Sequence, residues 1–349
     1  MQRLLHFLHE QPHENYQYVV LVPSKSIEKW SGKYPDFTFE VADQPSYTFA
    51  EQVSLYRQIK ALKPDLVHFT MPQQPLLWTG NAVTTIHDTT LVRYENIDIN
   101  PLVYKARKAV FTYLFNTVLK RSRRILTPTE FVRHDLLNYS KKLPPEHVIV
   151  TLEAGDPIDA EPEEIAELKG KEYLCFVGNA FPYKNIGRTI EAFAEIKISH
   201  PNLHLALAGK KDFFYEKLEA EAKEKGIKDI HFLGFISDGE KRWLYQNGTA
   251  MVTSSLSEGF CIPLLEAMYE GCPVLSSNAS CLPEVAGDAA LYFDPHSTED
   301  LANKMRQILN NPAMSKLLRG KGYERVKKFS WERMAKQTYE VYEEILSNS

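Results

Sequence analysis

Ser257-Glu258-Gly259-Phe260-Cys261-Ile262-Pro263-Leu264-Leu265-Glu266-Ala267-Met268 is the stretch whose reading decides the fold. The apolar run ahead of it, Ala250-Met251-Val252-Thr253, predicts a buried strand. A glycine then turns the chain into an amphipathic helix with Ile262, Leu264, Leu265 and Met268 as its apolar residues. Strand, glycine turn and fresh helix N-terminus together make an anion site, because the first N–H groups of a helix have no partner within it. Two carboxylates, Glu258 and Glu266, stand eight residues apart across that turn. An acid beside an anion site needs a reason, and the hydroxyls of a sugar arriving with the anion supply one. Spacing alone favours a plainer account, in which Glu258 answers the helix dipole and Glu266 is a surface charge.

At 349 residues the chain exceeds one typical core, so two domains are expected. Apolar content of 44% and charged content of 25% are those of a soluble globular protein, and a net charge of −4 argues against a dedicated nucleic-acid binder. The four cysteines, Cys175, Cys261, Cys272 and Cys281, form no C-x-x-C pair, which fits reduced thiols and a cytoplasmic location. No apolar run reaches the roughly 18 residues needed to span a bilayer, and no secretory signal opens the sequence.

Outward from the opening stretch, strands and helices alternate in both halves, which predicts parallel, doubly wound sheets. The first half offers a helix over residues 1–10 and strands near 18–22, 37–42, 66–69, 82–87, 125–127 and 148–150. His87, in Thr85-Ile86-His87-Asp88, ends a strand at the carboxyl edge, where open α/β sheets bind ligands. It can hydrogen-bond a substrate hydroxyl there or be held by Asp88 or a nearby carbonyl for structure alone; the residues favour neither. The run Lys120-Arg121-Ser122-Arg123-Arg124 suits anionic lipid or a phosphate-bearing acceptor, but reads more simply as a solvated helix end. Residues 155–171, acidic and proline-containing, are expected to be a linker. Beyond them Tyr173–Val177 predicts a buried strand closed by Gly178, and Asn179–Tyr183 leads to Lys184. A lysine after such a turn can neutralise phosphate, although a lone loop lysine is the commoner case. Further strands end at Gly209, followed by Lys210, and at Gly234, followed by Phe235 and Ile236. Charged groups at the strand ends of two such domains predict a ligand cleft.

Taken together these residues resemble the retaining glycosyltransferases of family 4, whose GT-B fold sets two Rossmann-like domains face to face. The motifs that carry the resemblance are Phe176-Val177-Gly178-Asn179 with Lys184-Asn185, Leu207-Ala208-Gly209-Lys210, Gly234-Phe235-Ile236-Ser237, Glu258 to Glu266, and Leu282-Pro283-Glu284-Val285-Ala286-Gly287. Thr85-Ile86-His87-Asp88 and Thr129-Glu130-Phe131 match a subgroup rich in mannosyltransferases. The resemblance implies an acceptor-side domain over 1–155, a nucleotide-sugar domain over 156–328 and a terminal helix over 329–349 that returns to the first domain. It implies that Glu258 holds donor-sugar hydroxyls and Glu266 the ribose. Lys184 would meet the diphosphate with the N–H groups of Gly259, Phe260 and Cys261, on a loop opened by Gly178 and Asn179. The backbone around Phe235 and Ile236 would contact the base, and His87 would lie beside the transferred sugar. The implied partners are a nucleotide-diphosphate sugar, by subgroup GDP-mannose, and a glycan or lipid-linked acceptor. Peripheral contact with the inner membrane face would run through residues 120–124. No cofactor or metal is implied, and no Asp-x-Asp occurs in the sequence.

Two positions depart from the family. Asn179 stands where an arginine is usual, which leaves the diphosphate to Lys184 with help from Lys210 or Arg188. Family members also open with a strand and glycine-rich turn ahead of the helix that here begins at Met1. The N-terminal sheet is therefore expected to lack its central first strand, or to have another element in its place. These departures favour a GT-B shell that binds nucleotide-sugar without turnover; Glu258, Glu266, Lys184 and His87 favour the enzyme.

Overall fold

Six short apolar runs in the first half of the chain become parallel strands. The computed structural model describes residues 2–11, 16–45, 48–90 and 101–348. The chain divides into two compact units, Met1–Glu153 with Ser330–Ser349, and Ala154–Phe329. In the first unit the strands are β1 (Val19–Val22), β2 (Thr38–Val41), β3 (Val67–Phe69), β4 (Ala82–Thr85), β5 (Arg124–Thr127) and β6 (Val148–Val150). They form two separate parallel sheets, β1-β2 and β3-β4-β5-β6. No strand among the described residues joins β1 to β3, so the sheet is broken where its first strand was expected to be missing. Side chains bridge the break instead. Leu21 of β1 packs with Ile59, Phe69 and Ala82, while Val20 and Val22 share a cluster with Val83 and Leu126.

Helix Gln2–His9 buries Leu4 and Leu8 in that same cluster, against Met334, Ala335, Val341, Tyr342 and Ile345 of helix Trp331–Ser347. Met1, part of the helix expected from sequence, lies outside the described residues. The basic run at the end of helix Pro101–Arg121 is largely consumed within the unit. Arg121 bonds the Leu76 carbonyl, Arg123 Nε donates to Asn81 at 3.0 Å, and Arg124 pairs with Glu344. Among the described residues no helix is long and apolar enough to cross a membrane.

The second unit holds β7 (Glu172–Val177), β8 (Leu203–Ala208), β9 (Ile230–Gly234), β10 (Ala250–Thr253), β11 (Val274–Ser277) and β12 (Ala290–Phe293). All are parallel, in the order β12-β11-β10-β7-β8-β9. Every residue of β10 and β11 is buried, as continuous apolar runs require when helices cover both faces. Helix Ile186–Ile196 supplies Ile186, Ile190, Phe193 and Ile196 to the main core. Two α-helices of this unit went unforeseen from sequence, Phe213–Glu224 and Leu282–Ala286, as did Ile27–Ser31 in the first unit. Half of helix Phe213–Glu224 is charged, and what fixes it is local: the Asp212 carboxylate caps its first turn, and Tyr215 and Ala222 anchor it.

The stretch expected as a linker, 155–171, is instead strapped onto the second unit. Ile158, Ile165 and Leu168 are buried, and Glu163 N–H donates to the Gly239 carbonyl at 3.0 Å. Its few apolar residues act as anchors, which outweighs its acidic and proline-containing composition.

Candidate donor site

The chain runs outward from β7 through β8 to β9, then returns to place β10 against the other side of β7. The direction of winding therefore reverses between β7 and β10, and ligands of open α/β sheets bind at such a reversal, beyond the carboxyl ends of the strands. The two loops there are Gly178–Asn185 and Ser254–Cys261. Gly178 has φ +155°, and its carbonyl accepts a 2.9 Å bond from Tyr215. The next loop comes so close that a Cβ on Gly209 would sit 1.9 Å from that carbonyl oxygen, so only glycine fits.

Hydrogen bonds lace the two loops together. Asn185, in the left-handed region at φ +56°, donates from its amide to the carbonyls of Ser254 (3.2 Å) and Pro295 (2.8 Å). Leu256 N–H donates to the Tyr183 carbonyl at 2.7 Å, and Thr189 Oγ1 to Ser254 Oγ at 2.9 Å. This lacing points Lys184 across the reversal at Glu258. Lys184 Nζ lies 2.6 Å from Glu258 Oε1, which also accepts from Ser255 Oγ at 2.7 Å. Lys184 and Glu258 side chains are only 16% and 9% exposed, so each charge depends on the other. Burial pulls the Lys184 pKa down, but the Glu258 carboxylate outweighs it and the pKa is raised. The backbone of Glu258 is fixed too, its N–H donating to Ser280 Oγ at 3.0 Å.

Helix Ile262–Tyr269 begins just beyond. Its N-cap Cys261 takes φ +77° and offers no side-chain bond to the first turn, while Pro263 occupies a position that needs no N–H partner. Burial pushes the Cys261 thiol up to about 12, so it is a neutral wall of the site. Phe260 is buried with its ring edge-on to Phe329 at 5.6 Å. Glu266 meets Lys241 at 3.0 Å, and Lys241 also reaches Asp238 at 3.2 Å. That lysine was not foreseen; it comes from helix Asp238–Asn247, opened by the reciprocal capping box of Ser237 and Glu240.

The remaining expected donor residues separate into used and unused. Asn179 accepts from Phe181 N–H at 3.3 Å, a turn-forming role that brings no charge. Arg188 is turned to Thr298 (2.9 Å) and Glu191 (4.0 Å) rather than toward Lys184. Lys210 is exposed, Ile236 is half-buried, and Phe235 stands 87% exposed after Gly234.

His87 belongs to the first unit, just past β4. Its Nδ1 is 2.7 Å from Glu153 Oε1 and its Nε2 is 3.1 Å from the Thr70 carbonyl. Asp88, the partner considered from sequence, accepts from Thr90 N–H instead. Glu153 escaped the sequence reading because it lies 66 residues from His87 in the chain.

Comparison with known proteins gives the family. Residues 157–325 match the family model for glycosyl transferases group 1, and residues 2–171 match that for Glycosyltransferase Family 4. The chain is a family 4 glycosyltransferase. This glycosyltransferase is 28% identical over 277 residues to O-antigen chain mannosyltransferase B of Escherichia coli, covering 75% of this chain and 70% of that one. It is 27% identical over 236 residues to O-antigen chain mannosyltransferase RfbU of Salmonella typhimurium, covering 66% and 65%. With serotype-specific mannosyltransferase WbdA of Escherichia coli it shares 30% over 242 residues, 65% of this chain but only 28% of that longer protein. Solved structures confirm the GT-B fold. A Rickettsia africae glycosyltransferase superposes with a TM-score of 0.74 at 18% identity, covering 100% of this chain and 95% of that one. WaaG, a glycosyltransferase of lipopolysaccharide biosynthesis, gives 0.74 at 17% identity, covering 97% and 94%. Anabaena HepE, crystallised with UDP and glucose, gives 0.72 at 15% identity, covering 98% and 95%.

Proposed function

We propose that this glycosyltransferase moves mannose from a nucleotide-diphosphate sugar to a glycan or lipid-linked glycan, with retention at the anomeric carbon. The Lys184–Glu258 pair at the strand reversal carries the proposal. Without ligand the two charges neutralise each other. An arriving diphosphate competes for Lys184, and Glu258 is then free to take sugar hydroxyls while Ser255 keeps one carboxylate oxygen in place. Both existing bonds fall on Oε1, which leaves Oε2 for that purpose. The first turn of helix Ile262–Tyr269 adds its dipole to the phosphate side. Lys241 is a second cation within reach of Glu266, where the ribose is expected.

Front-face attack fits this arrangement: the acceptor oxygen bonds to the anomeric carbon as the bond to phosphate breaks, and the leaving phosphate takes the acceptor's proton. The protein then supplies position and charge. No metal enters this scheme, so a chelator should leave the rate unchanged. Mannose is preferred because several relatives are named mannosyltransferases. The same relatives favour an enzyme over a shell that binds without turnover. Peripheral contact with anionic lipid through residues 120–124 is a separate expectation, to be read by liposome flotation with and without Lys120→Glu and Arg123→Glu.

The test is release of nucleoside diphosphate across GDP- and UDP-sugars with an acceptor glycan, comparing the wild type with Glu258→Ala and Lys184→Ala. GDP-mannose should turn over fastest, and each variant should lose roughly 100-fold or more. Equal turnover by all three proteins would sink the proposal.

A further inference from the structure

Two histidines on neighbouring strand ends of the first unit sit in opposite hydrogen-bonding environments. His68, in β3, is buried between the Tyr342 hydroxyl on Nδ1 (2.5 Å) and Thr85 Oγ1 on Nε2 (2.8 Å). A hydroxyl can donate or accept, so a neutral ring satisfies both contacts. Burial drives the His68 pKa down to about 3, and the ring is neutral. His87 lies between two groups that can only accept: the Glu153 carboxylate at 2.7 Å and the Thr70 carbonyl at 3.1 Å. Neither has a proton to give, so both ring nitrogens must carry one.

We propose that Glu153 is a positioning residue that fixes His87 as a doubly protonated ring, so that this histidine meets the substrate as a cation and hydrogen-bond donor and never as the base that takes the acceptor's proton. The proposal rests on the reading that His87 lies beside the transferred sugar. Geometry assigns the two nitrogens different tasks. Nδ1 is gripped by the less exposed partner, Glu153, at 16% against 44% for His87. The longer Nε2 bond to a backbone carbonyl is the one an incoming sugar or phosphate oxygen can share. In the transfer, the acceptor O–H proton leaves with the phosphate oxygen, and His87 neither gains nor loses one.

Among the described residues the charges facing the ring are few: His68 beside it is neutral and Asp88 is engaged with Thr90 N–H. Burial opposes protonation, yet the Glu153 bond and charge outweigh it, and the His87 pKa is raised above the ordinary histidine value.

The decisive experiment is an NMR titration of the His87 ring in the free protein from about pH 5 to about pH 9, with the resonance assigned by its loss in His87→Gln. In the wild type the ring should titrate above an unperturbed histidine, and in Glu153→Gln its midpoint should move down. A midpoint unmoved in a folded Glu153→Gln protein overturns the proposal. If that variant does not fold, Glu153→Asp serves, and must keep a raised midpoint. The second readout is the pH profile of kcat/KM. Its alkaline limb should shift to lower pH in Glu153→Gln, with a loss of roughly tenfold at alkaline pH and recovery in Glu153→Asp. A uniform loss with the limb in place would make Glu153 merely structural. Should no donor support turnover, the titration still decides the charge of His87, and only the proposed reaction falls.

Discussion

Among the described residues each unit contains six parallel strands, yet only one unit makes a single sheet of them. In the second unit β7 lies between β8 and β10 and every residue of β10 and β11 is buried. In the first unit β1 and β3 are each paired on one side only, and Val22 is the sole fully buried residue of β1 and β2 together. A continuous sheet sets two adjacent strand ends close enough for their loops to be laced by backbone and side-chain hydrogen bonds, and that lacing holds Lys184 against Glu258. Across a break, apolar side chains must do the joining, and they fix position less tightly than a ladder. The contrast teaches that the candidate donor site is preorganised by its sheet. The region around β1 depends instead on the packing of helices Gln2–His9 and Trp331–Ser347.

The largest expected effect tests the laced reversal. Gly209→Ala would drive a Cβ into the Gly178 carbonyl and should cost on the order of 4 kcal/mol in chemical denaturation. Gly80→Ala in the first unit meets first the Trp78 ring rather than backbone, and should cost less. Similar losses for the two would break the comparison. Next, Glu258→Ala strands the buried Lys184 charge and should destabilise the second unit by about 3 kcal/mol, whereas Glu258→Gln should recover part of that loss. Hydrogen exchange sharpens the contrast: amides of β1 and β2 should exchange at least roughly tenfold faster than those of β10 and β11. Equal protection would show that side-chain bridging serves as well as a ladder. Then comes pH. The His87 pKa is raised, so its pairing with Glu153 stabilises the first unit fully below the unfolded-state histidine value and loses that effect as pH rises through the folded value. Melting temperature should therefore decline on the alkaline side of neutrality, and less so in Glu153→Gln. Smallest is Arg124→Ala, which removes a partly exposed pair to Glu344 and should cost about 0.5 kcal/mol.

Much of this was written locally. Strand and helix periods and the glycines closing β7, β8 and β9 are decided by neighbours within a few residues, where sequence carries the signal. The family motifs lie in those same short stretches. Partnerships across the chain were not legible. Lys184 and Glu258 are 74 residues apart, His87 and Glu153 are 66 apart, and either carboxylate could have been a surface charge until a cation was seen beside it. The 155–171 stretch misled for the same reason, since composition cannot reveal that Ile158 and Leu168 find buried pockets. Sequence by itself determined the strands, most of the helices and the family. The strand order, and with it which charges face each other at the reversal, was decided only by tertiary structure, because ion pairs and hydrogen bonds depend on distance in space and a chain records only distance along itself.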